Sequence, residues 1–108
     1  MVNSKQKGKR GEREFVLALR EAGFQARRGQ QFQGSPESPD VVSEIQGVHW
    51  EVKRTEKLSL WKALEQAKKD AGESDIPIVA HKANRKPWCV IMQLEDLIPY
   101  LKILKEKT

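Results

Sequence analysis

Apolar residues recur along the chain with two periods, and the switches between them mark out its elements. Phe15, Val16 and Leu19 fall at helical spacing, which predicts a helix over about Gly11–Ala22 ended by Gly23. A short strand is expected over Phe24–Arg28. Residues 29–39, GQQFQGSPESP, are polar and interrupted by glycine and proline, so they read as a surface loop longer than a tight hairpin needs. From Asp40 the period shortens to two. Asp40–Ile45 reads as a strand, Gln46-Gly47 as a turn and Val48–Arg54 as the next strand. Ser59 is placed to cap a helix over Leu60–Ala71, in which Trp61, Leu64, Ala67 and Ala71 lie near helical spacing and Gly72 follows. Ile76–Lys82 and Trp88–Met92 read as strands joined by the basic turn KANRKP. The last segment, Leu94–Lys105, carries Leu94, Leu97, Ile98, Leu101 and Leu104 as one apolar stripe. Pro99 inside it predicts a break or two short helices.

The element order is therefore αβββαββα. The strand–helix–strand step across residues 48–82 implies an α/β fold, a mixed sheet with helices packed on it. A chain of 108 residues is expected to form one domain.

Charge adds a partner class. Lys plus Arg number 20 against 15 Asp plus Glu, for a net charge of +5 and a pI near 9.5. The excess is uneven: Lys5, Lys7, Lys9 and Arg10 precede Glu12 with no acid among them, and residues 1–8 read as a flexible basic arm. Such a chain suits a polyanion, most often nucleic acid, because bound Lys and Arg release counterions from phosphates. On charge alone a merely solvated basic surface is an equal alternative. The apolar runs are far too short to span a bilayer, and the basic N-terminus has no apolar segment behind it, so a signal peptide is not expected. Cys89 is alone, which excludes a disulfide framework or a cysteine zinc site and fits a reducing cytoplasm.

The chemistry gathers around the strand Val48–Arg54. Alternation sends Val48, Trp50 and Val52 to one face, the expected core, and His49, Glu51 and Lys53 to the other. Counting back from the turn, Asp40 falls near the Glu51–Lys53 end of that strand. Two carboxylates there suit a hard divalent cation, and a lysine beside them can orient the attacking water and stabilise charge on a phosphate. A third acid, Glu12, lies at i, i+4 and i+7 with Val16 and Leu19, on the edge of the core-facing stripe. An acid so placed needs a partner, either the helix dipole or a metal site. Arg13, one step around the helix, can meanwhile face a phosphate. Trp50, Trp61 and Trp88 are expected in the core. Phe32 either contacts a base or partner subunit or packs its own loop. His49 can touch the substrate or serve as a hydrogen-bonded structural group, and His81 reads as structural.

The segments KGKRGEREFVLALREAGFQARR, SPDVV and HWEVKR together resemble the PD-(D/E)xK nucleases. More narrowly they resemble the archaeal-type Holliday junction resolvases and their phage relatives. That pattern has a basic segment, Glu-Arg-Glu in a helix, Gly-Phe, an arginine-bearing strand, an Asp, then Glu-Val-Lys. The resemblance covers residues 7–55 and runs more loosely to Met92. It implies a restriction-endonuclease-like fold and a catalytic set of Glu12, Asp40, Glu51 and Lys53. It also implies a metal held by Asp40, Glu51 and the backbone carbonyl of Val52, with Glu12 binding directly or through water. The expected ion is Mg²⁺, with Mn²⁺ able to substitute. Lys7, Lys9, Arg10, Arg13, Arg28 and Arg54 would meet DNA phosphates. Ser35 would match a small polar residue near the site, and Gln66 a glutamine that related nucleases carry on the following helix, unless it is simply a solvated helical Gln. The implied partners are branched four-way DNA and a second copy of the chain, since a homodimer matches the junction's two-fold symmetry. The implied setting is the cytoplasm of a bacterial, archaeal or phage-infected cell. Two rival readings stay open: a related nuclease for flaps, nicks or ends, and a basic nucleic-acid-binding module without catalysis.

Overall fold

The computed structural model describes residues 4–29 and 40–108, with side chains from residue 8 onward. Phe32 and Ser35, and the side chain of Lys7, lie outside the described residues. The order is α1 (Ser4–Glu21), β1 (Ala26–Arg28), β2 (Val41–Ser43), β3 (Val48–Arg54), α2 (Leu60–Ala71), β4 (Ile76–Lys82), β5 (Cys89–Ile91) and α3 (Leu94–Glu106). The expected αβββαββα order is the observed one. The helix that was expected to begin near Gly11 instead starts at Ser4, so most of the supposed basic arm is helical. Its Lys, Gln and Arg residues are good helix formers, and Gly8 weakens the turn by only about 1 kcal/mol. The helix ends in a Schellman motif: the Gly23 amide donates to the Arg20 carbonyl at 2.9 Å and that of Phe24 to Leu19 at 3.0 Å. Gly23 adopts the left-handed conformation this requires, with φ +100°.

The sheet runs β1-β2-β3-β4-β5, with β3 and β4 parallel and the other neighbours antiparallel. The crossover through α2 makes the parallel step. Helix α1 covers one face. There Phe15 and Val16 pack with Ala26, Val41, Trp50, Val52, Ile78 and Ala80. The Phe15 ring lies 5.0 Å from both Trp50 and Trp88, edge-on to the first. Helix α2 covers the other face through Ala63, Leu64 and Ala67 against Val79. Central strand β3 is thus covered on both sides, and His49 and Glu51, on its non-apolar face, are buried with 2% and 5% exposure.

Three expectations change. Trp61 is not in the core but 71% exposed, because the buried stripe of α2 is Ala63, Leu64, Ala67 and Ala71. Small alanines let the helix approach the sheet closely and leave the indole outside. Ser59 precedes α2 as foreseen but makes no side-chain capping bond. The last helix runs unbroken through Pro99. Pro99 and Glu95 are both exposed, so the carbonyl that loses the proline N–H can turn to solvent. None of the residues of α3 is buried.

Candidate active site

The hairpin β2–β3 brings the acids together. Its register pairs Val41 with Trp50, and hydrogen bonds set Asp40, just before β2, against the Trp50–Val52 stretch of β3. Counting from a two-residue turn points to Lys53 instead. The difference arises because the strands are joined by Glu44–Gly47, where the Ser43 hydroxyl accepts from the Ile45 amide at 3.2 Å and Gly47 sits at φ +82°. Asp40 extends both ladders beyond the end of β2: its amide donates to Trp50 O at 3.1 Å, and its carbonyl accepts from the Gly29 amide at 2.9 Å.

The Asp40 side chain turns toward β3, where Oδ2 accepts from the Val52 amide at 2.8 Å. Within a strand, the N–H and C=O of one residue point the same way. The Val52 carbonyl therefore faces the side of Asp40 as well. Burial pushes the Asp40 carboxyl up from 3.8 to about 7, helped by the negative charge of Glu51 and then that of Glu12. The Val52 amide and the Lys53 charge act in the opposite direction without reversing it. Three carboxylates, from α1, the residue leading into β2, and β3, thus share one end of the sheet.

Each of the other members is held. Glu51 Oε1 is 3.5 Å from Lys53 Nζ, which also donates to Gln66 Oε1 at 3.4 Å. Glu12 Oε1 accepts from Arg28 Nε at 3.1 Å. The sequence-expected set Glu12, Asp40, Glu51, Lys53 and Gln66 is therefore gathered from α1, the start of the β2–β3 hairpin, β3 itself and α2. A hollow of about 190 Å³ opens beside it, lined by Lys53, Thr55, Leu58, Ser59, Lys62, Ala63 and Gln66. A larger hollow of about 420 Å³, lined by Arg20, Gln25, Ala26, Arg27, Val42, Ser43 and Glu44, holds none of these residues. The smaller hollow is the one that Lys53 and Gln66 of the set line.

The basic residues divide. Lys9, Arg10 and Arg13 are exposed on α1. Arg28 is tied to Glu12 but still about a third exposed. Arg54, expected on DNA, is committed to the protein. Nε meets Glu14 Oε2 at 3.1 Å, Nη1 the Lys82 carbonyl at 3.3 Å and Nη2 Asn84 Oδ1 at 2.9 Å, with 14% of the side chain exposed. Gly11 leaves room for it: a Cβ there would lie 2.5 Å from Arg54 Cβ. His81 has the expected structural role, donating from Nε2 to the Thr55 carbonyl at 2.8 Å.

Two features escaped the sequence pattern. One is the Glu12–Arg28 pair, since nothing local joins residues sixteen apart in the chain. The other is Asp70, which joins His49 and Glu51 under α2. Its position four after Gln66 on the same helix was the available signal.

The family model described as archaeal Holliday junction resolvase (Hjc) matches residues 3–100. The 1.6 Å structure of Hjc from Archaeoglobus fulgidus, a Holliday junction resolvase from an archaeal hyperthermophile, is 26% identical. It covers 77% of this chain and 74% of its own, with a TM-score of 0.55. No curated protein matches the chain.

Proposed function

This chain belongs to the archaeal Holliday junction resolvase family, a family of structure-selective, metal-dependent nucleases, and from that premise we propose that it resolves four-way DNA by paired nicks at Glu12, Asp40, Glu51 and Lys53. The observation that carries the reading is the Asp40 carboxyl, pushed up to about 7 by burial and by the charges of Glu51 and Glu12. Acids crowded this way repel each other and repel phosphate, so binding DNA alone gives them no purpose. An all-oxygen donor set of this charge fits a hard divalent cation.

Asp40, Glu51 and the Val52 carbonyl, with Glu12 directly or through water, would hold Mg²⁺ or Mn²⁺, whose chemistry is to acidify the attacking water and neutralise the phosphate. Lys53, with its ammonium held between Glu51 and Gln66, orients the water and stabilises charge developing on the phosphate oxygens. Arg28 holds the Glu12 carboxylate in place and keeps part of its guanidinium toward solvent, where a DNA phosphate can reach it. Lys9, Arg10 and Arg13 along α1 grip the backbone, which positions the duplex without reading its sequence. A second copy of the chain supplies the matching nick. The exposed Leu94, Ile98, Leu101 and Leu104 of α3 are the surface on which we place that contact.

The test is a panel of labelled four-way, flap, nicked and linear DNA with Mg²⁺, wild type against Glu51→Ala. Paired symmetric nicks on the four-way substrate, absent in the variant although it still binds, are expected. Cleavage retained by Glu51→Ala would remove the site assignment. Equal cutting of every substrate would remove the junction specificity.

A further inference from the structure

On the face of the sheet covered by α2, behind the catalytic edge, His49, Glu51 and Asp70 converge. One ligand atom of each lies within 4.8 Å of the other two. His49 is 2% exposed, and its Nε2 is buried without a hydrogen-bond partner among the described residues. A buried ring nitrogen left unpaired is costly. The carboxylate oxygen facing it, Glu51 Oε2, stands 3.9 Å away, too far for a hydrogen bond. That gap suits two ligands of one ion. Donors bound at 2.0–2.2 Å around a tetrahedral ion sit roughly 3.4 Å apart, so a closure of about half an ångström between these two, and of at most about 1.4 Å toward Asp70, would seat it.

We propose that His49 Nε2, Glu51 Oε2 and Asp70 form a binding site for a divalent transition ion of the Zn²⁺ class, separate from the catalytic cation position. The imidazole sets the class, because nitrogen donors suit Zn²⁺ and its neighbours whereas Mg²⁺ prefers oxygen. The two carboxylates supply the charge, and partly buried Asp70 supplies the way in. Glu51 is the shared element: its Oε1 faces Lys53 at 3.5 Å while Oε2 faces His49. An ion there ties α2 to β3 directly beneath the catalytic carboxylate and holds Glu51 from behind, as a bridging ligand.

Calorimetric titration of Zn²⁺ into the protein in excess Mg²⁺ tests this, in a Cys89→Ser background so that the exposed thiol does not compete. One Zn²⁺ per chain is expected. Asp70→Asn and His49→Gln should each weaken it at least tenfold, whereas Asp40→Asn, which alters the catalytic position, should leave it unchanged. The same titration with Co²⁺, followed by visible absorption, should show a band that both site variants lose. Absence of Zn²⁺ binding, or equal affinity in Asp70→Asn and wild type, overturns the proposal. Should His49→Gln fail to fold, Asp70→Asn at the partly buried helix position decides. The proposal does not rest on the nuclease reading: junction cleavage in Mg²⁺ by a wild-type protein that binds no Zn²⁺ would sink only the ion site. Zn²⁺ bound by a protein that cuts nothing would sink only the nuclease.

Discussion

Asp40→Asn should stabilise the metal-free protein, increasingly so as pH rises. In the folded chain the carboxyl titrates at about 7, against 3.8 for the unperturbed group. The folded state therefore holds its proton where the unfolded state has lost it. Stability from this group is fully present below about pH 3.8 and is lost as pH rises through about 7. The whole difference is worth about 4 kcal/mol at 1.36 kcal/mol per pKa unit, and about 2–3 kcal/mol of it falls between pH 5 and pH 8. Asparagine keeps an oxygen that can accept from the Val52 amide but carries no charge beside Glu51 and Glu12. Urea unfolding of both proteins in a chelator, at pH 5 and pH 8, measures the effect. The advantage of the variant should widen by about 2–3 kcal/mol over that range. Adding Mn²⁺ at pH 8 should then stabilise the wild type and not the variant, because the ion binds the folded carboxylates. A stability difference that stays constant with pH would refute the reasoning about burial and crowding of the acids. A wild type that gains on the variant toward pH 8 without metal would refute it more directly.

Other outcomes follow from particular contacts. Gly11→Ala forces a Cβ to within 2.5 Å of Arg54 Cβ and should cost about 1–3 kcal/mol in urea unfolding; an unchanged midpoint would show that β3 yields easily. Arg13→Ala, on the exposed face of α1, should leave the unfolding curve unchanged and lower the salt slope of DNA binding by about one; an unaltered slope would take Arg13 off the DNA. Leu101→Asp on α3, where the leucine is 42% exposed, should yield a folded monomer by sedimentation, and an unaffected dimer would move the interface elsewhere.

Much of the fold was legible from period and punctuation. The bounds of β3, α2 and β4 were read correctly because alternation, a helical stripe and a flanking glycine agree locally. That Glu12, Asp40 and Glu51 come together was legible too, from Pro-Asp, Glu-Val-Lys and an inward glutamate on the first helix. Where local signals compete with packing, reading failed. Trp61 sits near an apolar stripe, yet alanines decide how closely α2 approaches the sheet. Arg54 looks like any basic residue after a strand, and only the closeness of Glu14, Lys82 and Asn84 shows that it ties elements together. The sequence by itself determined which elements form and which carboxylates they carry, because hydrophobic period and turn chemistry act over a few residues. The tertiary structure decided the rest. Covering both faces of β3 buried Glu51 and His49, the wider turn set Asp40 against Trp50–Val52 beside Glu51, and dehydration together with mutual repulsion raised the Asp40 carboxyl to about 7. Those are effects of distance and solvent exclusion between segments far apart in the chain, which no local pattern encodes.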